Sequence, residues 1–564
     1  MKKIFKSILL LMTVTIGLGT LASCSDDDDS TMSRLFRPII SEDNIITGLD
    51  ADTIPYIRFS WSNYASANQY VINVSSIDGK ETYTQTVDTT VVTFNKLNYD
   101  KEYNVSIKSQ NTNNGLESKD YTFSVNTADF PTELNTITTS NIIDTQVRVT
   151  WDTNSGETVY DSLKVYAIDK DSLVEAYHVT TTELESGSKI LRNLKASTSY
   201  RVEAYKGATY KGKKTFKTAA AENYTGAVVD LRGLDPDESY KYLSSSSGSS
   251  YANAIDSLVT LYPNQDITIV LQGGVSYRLP TVTLPATTGK IKFVTGLTLN
   301  GNAEFAVSGN FATSDNIETG GLEFEKIFFT EAPDDGAPKT AANFGGKYLF
   351  NLGGNNAKIG NINISNCIIK YKRGICRLQG STSVDSMVVD NCIMDSIGGY
   401  GIANADNAAA KFDVTILSNS TFSNCEKILV NTKGQNPSSV TVQNCTFVYC
   451  IADSKPLFDY SGKTISTFDV KNCLFGIWGA HQLAAVTNGI NGWSGTTQPN
   501  CSDCYFTSDV TWVIDATTLA PKAELSGTTL KTTTQNTFKS PLTNDFTNIS
   551  DELKTVKAGD SRWY

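Results

Sequence analysis

Histidine is nearly missing from this chain: His178 and His481 are the two in 564 residues. That argues against a histidine-built metal centre or a histidine-dependent catalytic triad. A cationic surplus is missing too. Lys and Arg number 48 against 59 Asp and Glu, a formal net charge of −11. Duplex nucleic acid is held through basic patches on its phosphates, so no nucleic-acid partner is expected. Cysteine is absent from residue 25 to residue 366. The nine that follow keep step with a repeat instead of bracketing loops, and they read as small buried hydrophobes, with pairing between neighbouring coils left open. Cys501 and Cys504 have no second pair to complete a zinc site. After the first two dozen residues no apolar run approaches the roughly 20 residues that a spanning helix needs.

What is present begins with Lys2, Lys3 and Lys6, an apolar run over residues 8–18, and Leu21-Ala22-Ser23-Cys24. This is a secretory signal. Its ending resembles the bacterial lipobox, which implies a signal peptide over 1–23 and a lipid on Cys24. Asp26, Asp27, Asp28 and Asp29 then make residues 24–37 a solvated, self-repelling tether. The acidic run resembles the surface-export signal of Bacteroidetes-type outer-membrane lipoproteins, implying a lipid-anchored place on the cell surface; a plain linker is the other reading.

Residues 38–128 alternate in short runs, among them Ile57-Arg58-Phe59-Ser60-Trp61 and Tyr70-Val71-Ile72-Asn73-Val74, with Leu97 six residues before Tyr103. Residues 129–219 repeat the pattern with Val147-Arg148-Val149-Thr150-Trp151 and Leu194 before Tyr200. Short strands at about ten-residue spacing predict β-sandwiches. Both segments resemble fibronectin type III domains, which in tandem serve as spacers.

From residue 220 to about 520 the chain is organised by a returning Asn-Cys pair: Asn366-Cys367, Asn391-Cys392, Asn419-Ser420, Asn444-Cys445, Asn472-Cys473 and Asp503-Cys504, spaced 25, 28, 25, 28 and 31 residues. Such a period means stacked units too small to bury a core alone. Before each Asn the apolar residues share its parity; after it the parity switches. Alternate residues of a strand share a face, so a corner is required at the Asn, which tolerates the left-handed backbone. The prediction is a right-handed parallel β-helix with an internal Asn ladder and a thiol stack beside it. Lys326 stands where an Asn would in an earlier coil, residues 251–262 read as a short amphipathic cap, and residues 521–564 as a segment closing the last coil. The fold class is all-β throughout.

The order of parts, with Arg34-Leu35-Phe36-Arg37-Pro38 as lead-in and Gly559-Asp560-Ser561-Arg562-Trp563 at the end, resembles a family of polysaccharide-utilisation surface lipoproteins carrying a pectate-lyase-like β-helix. The resemblance implies capture or processing of polysaccharide, pectin-type above all, beside an outer-membrane transporter. Glycan binding is the leading expectation. A β-helix lyase acting on uronates and an adhesion or scaffold protein are the alternatives. Gly-His-Gly, Trp-Asp-His and Asp-Asp pairs within the repeats are absent, so no catalytic set is assigned.

Candidate ligand-binding residues come from two places. Lys370, Lys372, Arg373 and Arg377 put four cations within eight residues of an acidic chain, with Lys370 and Lys372 expected on one face. Arg binds carboxylates bidentately, and in a lyase an Arg of lowered pKa would be the base. The bland reading pairs these cations with Asp385, Asp390 or Asp395. Those three Asp also admit calcium, an oxygen-seeking cation, although their interval of five does not share a face. Trp478 and Trp493 lie in the longest spacing and are read either as sugar platforms or as rings packing the loop onto the body.

Overall fold

The computed structural model describes residues 33–153, 160–232, 254–331, 340, 346–480 and 485–564. The expected signal peptide, Cys24, the acidic run and His481 lie outside these. Two compact units follow one another, Met1–Thr132 and Glu133–Tyr564.

The first unit is a β-sandwich. Ile45–Leu49, Pro55–Ser60 and Val91–Phe94 form one sheet; Thr82–Val87, Gln69–Ser76, Glu102–Asn111 and Tyr121–Asn126 form the other. Alternation buries Ile57, Phe59, Trp61, Tyr70, Ile72 and Val74 between them. The second unit starts with another sandwich, in which Trp151, Tyr160, Leu163, Val165 and Val202 are core. Both carry the same corner. The Tyr103 hydroxyl accepts from Asn98 N–H at 3.2 Å, and the Tyr200 hydroxyl from Lys195 N–H at 2.8 Å, the tyrosine corner of such sandwiches. This explains the Leu-to-Tyr spacing of the sequence.

The second sandwich is more than a spacer, because it is bonded to the first coils of the β-helix. Asp144, 1% exposed, takes both oxygens to Arg232 at 2.9 and 3.0 Å. Gln146 donates to Gln272 at 2.8 Å, and Arg148 donates to the Leu299 carbonyl and Asn300. The expected cap is a helix over Ala254–Leu261, whose Ile255 and Leu258 join the β-helix core.

Among the described residues the β-helix has three parallel sheets of ten, ten and eight strands. Successive coils pair in register; Ile362, Met387 and Thr415 align in the first sheet, and Ile369, Met394 and Phe422 in the second. The corner between these sheets is the Asn repeat. Lys326, Asn366, Asn391, Asn419, Asn444, Asn472 and Asp503 all have φ between 49° and 56°, the left-handed conformation that turns the chain. Asn391 donates to Asn366, Asn444 to Asn419 and Asn472 to Asn444 at 2.5–2.9 Å, while Asn419 donates to Asp390. The ladder is not internal. Asn366 and Asn391 are exposed and the rest half-buried, because a left-handed corner aims its side chain along the outer edge. The thiols are inside: Cys367, Cys392, Cys445, Cys473 and Cys504 are buried and unpaired, and Cys392 and Cys504 each donate to a carbonyl of the preceding coil at 3.4 Å.

The C-terminal segment does more than close the last coil. Thr528–Thr529 adds to Tyr505–Phe506 as a further rung. The rest lies along the outer face of the second sheet, with Phe538, Phe546, Leu553 and Ala558 packed on Val448, Tyr449, Leu474 and Tyr505. Asp560, 1% exposed, accepts from Thr421, and Trp563 Nε1 donates to the same hydroxyl at 2.7 Å.

Candidate functional site

The three outer faces differ in what they leave free. On the first sheet four cations are neutralised within the face, Lys290–Glu323 at 2.9 Å, Lys292–Glu325 at 2.6 Å, Lys411–Asp413 at 2.7 Å and Lys471–Asp469 at 3.0 Å, while Lys358 is exposed. The second is covered by the tail from the Asp395 coil onward. The third, with its entering corner, holds an arginine–tyrosine cluster.

The cluster is built from neighbouring coils. Tyr348–Leu352 pairs with Gly374–Leu378, setting Tyr348 beside Gly374 and Asn351 beside Arg377. Gly374 makes the room: a Cβ there would stand 2.7 Å from Tyr400 Cβ and 3.4 Å from the Tyr348 ring. The Tyr348 and Tyr400 rings therefore meet edge to face, with centroids 5.1 Å apart. Arg373 lies over Tyr348 at 5.4 Å and Tyr400 at 4.9 Å, and Arg377 over the same rings at 5.6 and 4.8 Å, within the reach of cation–π attraction. Arg377 is committed. It grips Asp406 Oδ2 at 2.9 and 2.6 Å, and Lys433 takes Oδ1 at 2.6 Å. Burial would raise the Asp406 pKa; hydrogen bonds from Lys433 and Arg377 overcome it and hold the carboxylate below its ordinary value. Arg373 is exposed and has no carboxylate partner among the described residues. The Tyr348 hydroxyl is buried beside it, and burial together with the neighbouring Tyr400 hydroxyl raises its pKa.

The four cations of the sequence motif thus split three ways. Lys370 faces the second sheet's exterior, 3.7 Å from Asp395. Lys372 does not share that face. Tyr371 takes φ 60°, a second left-handed corner, and throws Lys372 into the helix interior, aligned with Ile397 and then Cys425. There it is 0% exposed, donates to the Thr330 carbonyl at 2.7 Å, and burial drives its pKa down to about 7. An ammonium so placed contacts no external ligand. Arg373 and Arg377 alone of the four reach the third face.

The two tryptophans are packing residues. Trp478 is 4% exposed, against Phe475 and Trp512. Trp493 sits in register with Phe458 and packs against the same core. Beside Trp478 a hollow of about 430 Å³ is lined by Tyr449, Ile477, Val486, Asp509 and Leu542, but Asp509 is already spent on the Thr534 amide and hydroxyl. The calcium set does not assemble either. Asp385 is exposed on the first sheet, Asp390 belongs to the Asn ladder and accepts from Ser418 at 2.6 Å, and Asp395 takes Asn424 and Asn544 on the second. Among the described residues no three His, Cys, Asp or Glu side chains converge as a metal site, and no helix is long and apolar enough to cross a membrane.

Tyr348, Tyr400, Asp406 and Lys433 were not singled out by the sequence reading. The signal was there in the period: Tyr348 precedes Arg373 by 25 residues and Tyr400 follows it by 27, the coil spacing of the Asn repeat.

The chain is thus an all-β protein of fibronectin type III-like sandwiches followed by a β-solenoid. No protein-family model and no curated protein matches it. Among solved structures it is similar to a two-domain fibronectin type III segment of chicken tenascin, at 16% identity over 32% of this chain and 100% of that one, with a TM-score of 0.17. It is also similar to the first three fibronectin domains of chicken CNTN1, at 18% identity over 31% of this chain and 66% of that one, with a TM-score of 0.13.

Proposed function

We propose that this chain is a cell-surface glycan-binding lipoprotein of a polysaccharide-utilisation system, anchored through Cys24 and holding uronate-containing, pectin-type polysaccharide for a neighbouring outer-membrane transporter. The observation that carries the reading is Arg373: an exposed guanidinium lying over two tyrosine rings, without a carboxylate partner among the described residues. A guanidinium takes a carboxylate through two parallel hydrogen bonds, and tyrosine offers an apolar body with a polar tip to a sugar. Asp406 and Lys433 hold Arg377 in place beside it. Affinity electrophoresis against polygalacturonate and a neutral polysaccharide tests this. Arg373→Ala is expected to weaken polygalacturonate binding about tenfold or more, the worth of one charge-assisted contact. Equal retardation of the variant and the parent chain overturns the assignment. Release of unsaturated, ultraviolet-absorbing products from the polymer would make the same corner a lyase site instead.

A further inference from the structure

Residues 195–217 reverse the charge of the chain. They hold seven Lys and Arg and a single acid, Glu203, in a protein of net charge −11. They include the last hairpin of the second sandwich, Ser199–Lys206 with Thr209–Lys217, and Thr209–Lys217 is an edge strand of its four-stranded sheet. Val202 and Ala204 are buried in the core, so by alternation Arg201, Glu203 and Tyr205 point outward. The neighbouring strand sets Lys164 in register with Glu203 and Tyr166 with Arg201. The pairing of cation with tyrosine seen on the solenoid recurs on this face. Lys164 lies over the Tyr205 ring at 4.2 Å and Arg201 over the Tyr166 ring at 4.8 Å. Arg201 is committed, to Asp171 at 2.9 Å and to Glu203 at 2.7 Å. Glu203 is spent on Arg201 and on the Tyr205 hydroxyl, 2.6 Å away. Lys164, half-buried, has no ion pair among the described residues, and neither does the exposed Lys217, which pairs with Ser199 on the same sheet.

We infer that the outer face of this sheet is a second binding site for acidic polysaccharide, with uronate carboxylates on Lys164 and Lys217 and sugar rings against Tyr166 and Tyr205. The site uses none of the residues around Arg373 and stands or falls apart from them. The ammonium groups left over after Asp171 and Glu203 are spent are what an anion can take. Exposed charges act over a Debye length of about 8 Å, so an approaching polymer meets this local surplus and not the net charge of the whole chain. Tyrosine offers a sugar an apolar body with a polar tip, and an open sheet face accepts an extended chain. An anionic lipid surface is the poorer match. Ile168 and Leu173 are exposed at the tip of the neighbouring hairpin, but Asp169 and Asp171 stand among them.

Affinity electrophoresis of the full chain at low and high salt decides it, with polygalacturonate as the acidic probe and a neutral galactan as the control. Lys164→Gln combined with Lys217→Gln is expected to weaken polygalacturonate binding about tenfold at low salt. That loss is expected to shrink as salt rises, which a merely structural change would not do. Lys164→Arg keeps the charge over the ring and is expected to bind as the parent does. Melting followed by circular dichroism confirms that each variant is folded, and the single Gln variants serve if the double one is not. Equal retardation of the double variant and the parent overturns this site and leaves the Arg373 reading standing. Loss of binding in the double variant, with none in Arg373→Ala, keeps this site and removes the other. A parent chain that polygalacturonate does not retard overturns both. Sedimentation of such a chain with phosphatidylglycerol vesicles, lost in the double variant, would make the face a lipid contact instead.

Discussion

Arg562 donates from Nη2 to Asn391 Oδ1 at 2.6 Å, across 171 residues of chain. The same guanidinium reaches the Asn419 carbonyl at 3.2 Å and stands 2.7 Å from Asp560. The third residue from the C-terminus thus bridges two rungs of the asparagine ladder, and tail and ladder are one hydrogen-bonded assembly. Arg562→Ala is expected to lower the stability of the β-helix transition by about 1–3 kcal/mol, the range for a charged hydrogen bond lost from a partly buried site. Urea unfolding checks it. Truncation after residue 557 is expected to cost more, because Asp560 and Trp563 leave as well.

Asn444 both donates to Asn419 and accepts from Asn472 at φ 53°. Asn444→Ala loses both bonds and puts a Cβ into the left-handed region without local compensation, an expected loss of about 2–4 kcal/mol. Asn444→Gly keeps the backbone at ease and is expected to lose less. Equal losses in the two variants would show that the backbone conformation carries none of the effect.

Lys372 gives the protein a pH dependence of defined sign. Burial lowers its pKa from 10.5 to about 7, so between those values the unfolded chain binds a proton that the folded chain does not. Stability is therefore expected to rise with pH across that window, by about 1.4 kcal/mol per pH unit from this group, and to be flat in this contribution below pH 7. Lys372→Met removes the slope. Denaturation at several pH values between 7 and 10 reads it directly; a slope that survives the substitution assigns it elsewhere.

Trp478 and Trp493 separate packing from recognition. Trp478→Ala empties a site that is 4% exposed and is expected to cost about 3–5 kcal/mol. Any variant that remains folded should bind polygalacturonate as the parent does. Weakened binding by folded Trp493→Ala would return that ring to the ligand-contacting set.

The corners of the solenoid were legible because their chemistry is local. Asparagine tolerates φ near 50°, and a parity switch around it has one geometric meaning, so even Lys326 was placed correctly. The Tyr371 corner was not legible. An aromatic residue at φ 60° carries no such signal, and missing it put Lys372 on the wrong face. Tyr348 and Tyr400 meet because Gly374 leaves room between them and coil register brings their strands together, which depends on loop lengths as well as residue types. The docking of the tail was hidden for a similar reason. Thr421 and Thr446 look like any strand residues until Asp560 reaches them from 139 and 114 residues away.

The bond from Arg562 also sets an order in time. Coils can stack from the N-terminal side as chain becomes available, each on the one before, but the flank of the second sheet stays open until the segment from Phe538 to Trp563 exists as free chain. A newly made molecule therefore has a finished spine before it has a finished side. For that interval Val448, Leu474 and Tyr505 are bare, and the side of the solenoid is finished only by a segment that follows its last coil.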